Sequence, residues 1–264
     1  MNAEQEFFKD NGYCLAKGVY SSDEICGLEK EFDRIVKQLQ ACDSTGKWAK
    51  KGVIDTRNVQ QYSAVWMAAM LHKNFLDTVE QFIGPDIVLN HTTLYHKLPT
   101  TAPSPFNSHQ DWGYLRTEND TLIGAMIHVS EATEQMGCLR VYPGSNQHGR
   151  MDAANHKNAA FYEKYPLQDA TAIKADAGDV TFFDSFVVHG SMSNHSDKPR
   201  KTVIARLFSG KDRKEDIYAP NENLVLRGWN HRMTRDTALK VPAKRAKEKT
   251  KEPVAAKGGQ SDSD

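Results

Sequence analysis

His109 and Asp111 stand two positions apart, and His189 closes an apolar run eighty positions downstream. No other feature limits the possible folds of this chain so strongly. On a strand, side chains two apart leave the same face, so His109 and Asp111 can reach one ion together. For His189 to join them, strands from distant parts of the chain must lie side by side. The result would be a 2-His-1-carboxylate face, the ligand set expected of a non-haem Fe(II) oxygenase with open coordination positions. An H-x-D triplet alone also fits an ordinary polar loop, and the surrounding sequence decides between the two.

The approach to His189 runs Ala177-Gly178-Asp179-Val180-Thr181-Phe182-Phe183-Asp184, then Ser185-Phe186-Val187-Val188. A Gly-Asp turn followed by β-branched and aromatic residues predicts a hairpin entering buried strands. His189 then falls at a strand end, near the mouth of a site. Arg200 follows in Lys198-Pro199-Arg200-Lys201, leading into Thr202-Val203-Ile204-Ala205-Arg206-Leu207-Phe208, which alternates like a strand. A planar guanidinium fork grips a carboxylate with two hydrogen bonds, as a dicarboxylate co-substrate beside the iron would require.

With these residues in view, the chain resembles the phytanoyl-CoA dioxygenase-like branch of the Fe(II)/2-oxoglutarate-dependent oxygenases. That family carries an H-x-D, a distal His, an Arg eleven positions beyond it and a Ser or Thr two beyond it. Here these are His109, Asp111, His189, Arg200 and Ser191. Gly124 to Val129, Gly137 to Ser145 with its Pro143-Gly144-Ser145 turn, and Lys97-Leu98-Pro99 resemble further family elements in the same order. Asn146 replaces the His usual after that turn. The resemblance runs from about Phe8 to Phe208.

Composition fits a single enzyme domain. A chain of 264 residues can bury one large core, and β-rich domains of this size commonly fold as one unit. Formal net charge is zero, and no basic stripe with interleaved aromatics argues for nucleic acid. No signal peptide or membrane-length apolar run is visible. Cys14, Cys26, Cys42 and Cys138 show no C-x-x-C spacing, which favours reduced thiols and a cytoplasmic location.

The chain opens with a helix over Glu4–Asp10, stopped at Asn11-Gly12, and a short strand Tyr13–Ala16. A capping box at Ser21–Glu24 starts a helix with a core stripe at Ile25, Leu28, Phe32, Ile35 and Leu39. Ser63–Phe82 reads as one further helix. From Ile87 onward short strands alternate with turns: Ile87–Leu98, Leu122–Ser130, Cys138–Tyr142, Val180–Asp184, Phe186–His189 and Thr202–Phe208. Strands following a helical start predict a mainly β domain with flanking α-helices. The resemblance implies a double-stranded β-helix, the cupin-like jelly roll. The domain is expected to span 1–238, with 239–264 a disordered charged tail poor in large apolar groups.

The resemblance also implies Fe(II), 2-oxoglutarate and O2, with release of succinate and CO2 and hydroxylation of a small-molecule C–H bond. His109, Asp111 and His189 would hold iron, and Arg200 with Ser191 would take the far carboxylate of 2-oxoglutarate. Met126 and His128 share a strand face that the family pattern places near the co-substrate; Thr93 and Lys97 share another. Trp112, Tyr114, Phe106 and Asn107 are candidates for the substrate wall. An acyl-CoA or carrier-bound substrate, a desaturating, epoxidising or cyclising outcome, and a non-catalytic metal-binding role are the alternatives. Oligomeric state is not readable from the sequence.

Overall fold

The computed structural model describes residues 2–47, 51–100, 104–151, 154, 157–215 and 223–232. Residues 239–264, read above as a tail, lie outside that set. The strands are β1 (Tyr13–Ala16), β2 (Val53–Arg57), β3 (Ile87–Lys97), β4 (Phe106–His109), β5 (Ile123–His128), β6 (Leu139–Val141), β7 (Thr171–Ile173), β8 (Val180–Asp184), β9 (His189–Ser191), β10 (Arg200–Ser209) and β11 (Leu224–Arg227). They form two antiparallel sheets. The larger runs β1-β8-β5-β10-β3-β11, with β2 also on β3, and the smaller runs β4-β9-β6-β7. Alternate residues of β10 therefore serve two cores. Val203, Ala205 and Leu207 pack outward with Phe32, Trp66 and Phe75 of the helices, while Ile204 packs inward with Met126, Phe183, Leu139 and Val141 between the sheets.

The helices cover the outer face of the larger sheet. The Ser21 capping box forms as the sequence predicts, and the following helix, Ser22–Ala41, buries Ile25, Leu28, Phe32 and Ile35. Leu39 is only partly buried against the same cluster. The single helix expected over 63–82 is two, Ala64–Met70 and Lys73–Ile83. The break falls at Leu71 and His72: His72 takes extended dihedrals as the cap of the second helix. Each short helix can then turn its own apolar side, Trp66 and Met70 or Phe75 and Val79, onto the sheet. Among the described residues no helix is long and apolar enough to cross a membrane.

The strand predicted over Phe186–His189 begins only at His189, because Val187 N–H bonds back to Asp184 in a turn that closes β8. Four further strands, β2, β4, β7 and β11, are absent from the strands expected from the periodicity. These strands have three to five residues, too few to show a period of their own.

Candidate metal and co-substrate site

His109 ends β4 directly opposite His189 at the start of β9. Asp111 is not on the strand, as parity would have it, but opens a short 3-10 turn, Asp111–Gly113. Gln110 fixes that turn: it is fully buried, and its side chain donates to the Gly149 and Phe186 carbonyls and accepts from Met151 N–H. The candidate ligand atoms of His109, Asp111 and His189 lie within 4.8 Å of one another. Nε2 of His109 is 3.8 Å from Asp111 Oδ1, and Nε2 of His189 is 3.7 Å from it.

Both imidazoles are oriented by their own chain. His109 Nδ1 lies 2.8 Å from the Asn107 carbonyl and His189 Nδ1 lies 3.0 Å from the Val187 carbonyl. A carbonyl can only accept, so Nδ1 carries the proton and Nε2 presents its lone pair to the centre. Burial, followed by the neighbouring His189, pushes His109 down to about 4. Burial likewise lowers His189. Asp111 is pulled two ways: burial pushes its carboxyl up, while Arg206 and the two imidazoles pull it down, and the net direction is below its ordinary value. Two neutral imidazoles and one carboxylate are the protonation states a divalent metal needs.

The ion pair with Asp111 comes from Arg206, a residue to which the H-x-D, distal His and Arg200 pattern assigns no role. Its Nε stands 2.8 Å from Asp111 Oδ2, and its Nη2 donates to Oδ1 at 3.1 Å. The Nε contact is an ion pair out of line for a hydrogen bond, since Oδ2 has no hydrogen-bond partner. The Phe183 ring lies under the guanidinium, 5.2 Å away, and 4.8 Å from the His189 ring. Phe183 can lie there because its neighbour across β5 is Gly124, where a Cβ would come within 2.4 Å of the ring. Gly124→Ala is expected to displace Phe183, cost about 1–3 kcal/mol by overpacking and loosen His189. Melting temperature and Fe(II) affinity should fall together. A stable variant with native iron affinity would show that Phe183 does not brace the site.

At the other end of the cavity lies Arg200, and Lys97 and Ser191 are buried behind it, outside the lining. Arg200 pairs with Lys97 in the β3–β10 register and donates to the Gly137 carbonyl. Its Nε and the Oγ1 of Thr202 have no partner among the described residues. Lys97 Nζ donates to Ser191 Oγ at 2.8 Å and to the Met192 carbonyl. Burial, then the adjacent Arg200, pushes Lys97 down to about 6. Unmet donors in a buried cationic pocket fit a carboxylate.

The cavity between the sheets is lined by Tyr95, Phe106, His109, Met126, Phe183, His189, Gly190, Arg200, Thr202, Ile204 and Arg206. Met126 and Phe106 thus sit where a cavity role requires. Thr93 does not line it; the same face of β3 reaches the cavity through Tyr95 instead. His128 is also outside it, fully buried and 2.9 Å from Thr181 Oγ1. Trp112 is buried beside Phe186, with Arg116 stacked over it. Tyr114 is exposed and meets His109 edge-on at 6.0 Å. Asn107 contributes its carbonyl to His109 and lines a surface groove with Tyr162 and Met192.

A family model described as phytanoyl-CoA dioxygenase (PhyH) matches residues 8–202. The chain is similar to a probable alpha-ketoglutarate-dependent hypophosphite dioxygenase of Stutzerimonas stutzeri, 24% identical over 223 residues that span 76% of each protein. It is also similar to the peroxisomal phytanoyl-CoA dioxygenase of Homo sapiens, 26% identical over 255 residues, 84% of this chain and 72% of that protein. Among solved structures, the epimerase SnoN in complex with Fe3+, alpha ketoglutarate and nogalamycin RO superposes with a TM-score of 0.67 at 19% identity, over 81% of this chain and 85% of that one. EctD of S. alaskensis with 2-oxoglutarate and 5-hydroxyectoine gives 0.65 at 19% identity, over 81% and 78%. The fold they share with this chain is the jelly roll.

Proposed function

Because the chain belongs to the phytanoyl-CoA dioxygenase family, we propose that it is an Fe(II)- and 2-oxoglutarate-dependent dioxygenase hydroxylating a C–H bond of a small molecule, with release of succinate and CO2. The observation that carries this reading is the convergence of two Nε2 lone pairs and one carboxylate at one end of a cavity whose other end holds the Arg200 guanidinium with its Nε unpartnered among the described residues. The alpha-ketoglutarate-dependent relative supports it. Four unpaired thiols, two of them exposed, support a cytoplasmic setting.

His109, Asp111 and His189 would hold Fe(II), and Arg200, with Lys97 and Ser191 behind it, would hold the far carboxylate of 2-oxoglutarate. Iron bound with 2-oxoglutarate and O2 supplies the oxidant for C–H hydroxylation. The protein's part is positional. Nδ1–H bonds to Asn107 and Val187 fix the imidazoles, Arg206 holds Asp111 ionised, and Phe183, Met126 and Ile204 keep water from the reacting centre. Succinate formation that requires Fe(II), O2 and 2-oxoglutarate together tests the reading; equal turnover with zinc, or without oxygen, would sink it.

Lys97 gives a second test. With its ammonium pushed down to about 6, the free protein holds Lys97 largely neutral above neutral pH. A carboxylate arriving beside it favours the charged form. The complex therefore binds more protons than its components, and 2-oxoglutarate affinity falls as pH rises above that value until the raised Lys97 value in the complex is passed. Calorimetry of 2-oxoglutarate binding in buffers of different ionisation enthalpy should show uptake approaching one proton, lost in Lys97→Met. No uptake would place the carboxylate away from Lys97.

A further inference from the structure

We propose that the prime substrate of this site carries an anionic group and that Arg206 receives it, an assignment that rests on the iron and 2-oxoglutarate reading above. Arg206 is 8% exposed and lines the cavity. Its Nε and Nη2 are turned to Asp111, and its Nη1 has no hydrogen-bond partner among the described residues. A guanidinium offers five N–H donors in a fixed fork, and Nη1 is a buried donor that the described protein groups leave unmet.

Arg206 cannot serve the co-substrate carboxylate that Arg200 serves. Both face inward from β10, but six positions of strand separate them, about 20 Å between their backbones. Arg200 belongs to the Lys97 end of the cavity and Arg206 to the Asp111 end. A small dicarboxylate held by Arg200 would leave Arg206, at the Asp111 end of the cavity, to a second ligand.

Charge balance points the same way. Of the ionised groups converging on the cavity, two are guanidiniums and one is the Asp111 carboxylate, with Lys97 close to neutral in the free site. A divalent metal and a dianionic co-substrate cancel each other. One positive charge is left over even before any proton reaches Lys97, and burying an uncompensated charge is expensive. A carboxylate, phosphonate or similar anion on the substrate closes the balance.

The surroundings amplify the preference. Phe183 under the guanidinium and Ile204 beside it exclude water from around Arg206, which strengthens its pull on a charge. His91, paired with Arg206 in the β3–β10 register, is pushed down to about 3 by burial and then by Arg206, Arg57 and Lys214. Asp111 acts on His91 in the opposite direction. Arg116 is a further cation, at the Trp112 face.

The test uses the anaerobic Fe(II)·2-oxoglutarate holoenzyme of the full chain. Probes are straight-chain carboxylates from acetate to octanoate, each beside its primary amide, and methylphosphonate beside its dimethyl ester. Binding is read from the melting temperature and from the visible band that Fe(II) gives with a 2-oxo acid. Anions are expected to shift both below about 10 mM, with their uncharged counterparts at least about tenfold weaker. In Arg206→Gln that preference should vanish, and in Arg206→Lys it should return in part, since charge survives without the fork. Anions and neutral counterparts acting alike on the wild type overturns the proposal without recourse to any variant. So does an undiminished preference in Arg206→Gln. A loss of iron affinity in that variant, with no anion preference in the wild type, would make Arg206 a positioning residue for Asp111. Absence of the visible band in the wild type would instead remove the iron and 2-oxoglutarate reading itself.

Discussion

Replacing His109 or His189 with Ala should abolish tight Fe(II) binding while leaving the fold intact. Each imidazole supplies one lone pair whose direction is set by a single Nδ1–H bond to a carbonyl two residues before it. Loss of one leaves two ligands at the centre, and disruption of even an outer hydrogen bond to a ligand costs about 10–100-fold in metal affinity. Losing the ligand itself should cost more than that. Asp111→Gly has a different penalty. It removes an anion and leaves Arg206, whose Nε stood 2.8 Å from Asp111 Oδ2, as an unopposed cation beside a dication. Two imidazoles alone would retain some iron; with Arg206 present, Asp111→Gly should bind Fe(II) no better than the His variants. In the double variant Asp111→Gly with Arg206→Gln, part of the affinity should return. Anaerobic equilibrium dialysis with Fe(II), alongside circular dichroism for folding, measures all four. Native affinity in either His variant would detach the three residues from the metal.

How far these features can be read from the sequence depends on the range of the interaction that fixes each. Capping at Ser21, the stripe of Ile25, Leu28, Phe32 and Ile35, and the strand Val180–Asp184 are local, and they fall where periodicity puts them. The approach of His109 to His189 is not local. It was legible only because three metal-binding residue types at strand ends leave few ways to be useful unless they meet. The parity argument for His109 and Asp111 reached the right proximity by the wrong route, since Asp111 arrives through a turn held by Gln110.

Arg206 is legible from strand parity. Arg200, Thr202, Ile204 and Arg206 share one parity on an alternating strand, so an Arg on the face that holds Arg200 had to point into the same interior. A charged residue within an apolar run is seldom buried without a partner, and for Arg206 that partner is Asp111. Thr93 and Tyr95 show the limit of the same rule. They share a face of β3, yet only Tyr95 lines the cavity. Which member of a face reaches a site depends on side-chain length and on where the opposite sheet lies, and neither is written in the periodicity.

Arg200→Ala should weaken 2-oxoglutarate binding by about 2–5 kcal/mol, the usual cost of removing one partner of a buried charge-assisted pair, or tens- to thousands-fold in affinity. Fe(II) binding in the absence of co-substrate should hardly change, because Arg200 lies at the Lys97 end of the cavity, away from the triad. The guanidinium is preorganised by its bond to the Gly137 carbonyl. Gly137 has φ +65, and a Cβ there would come within 2.2 Å of the Met192 carbonyl oxygen, which also accepts from Lys97. One backbone approach therefore ties Arg200 and Lys97 together. Arg200→Lys should recover only a fraction of the loss: an ammonium keeps the charge, but it cannot present two parallel donors to the carboxylate. Titration calorimetry of the three proteins with 2-oxoglutarate, and separately with Fe(II), distinguishes the outcomes. Equal losses for both ligands would mean that Arg200 supports the fold of the cavity, and unchanged 2-oxoglutarate affinity would remove it from the co-substrate site.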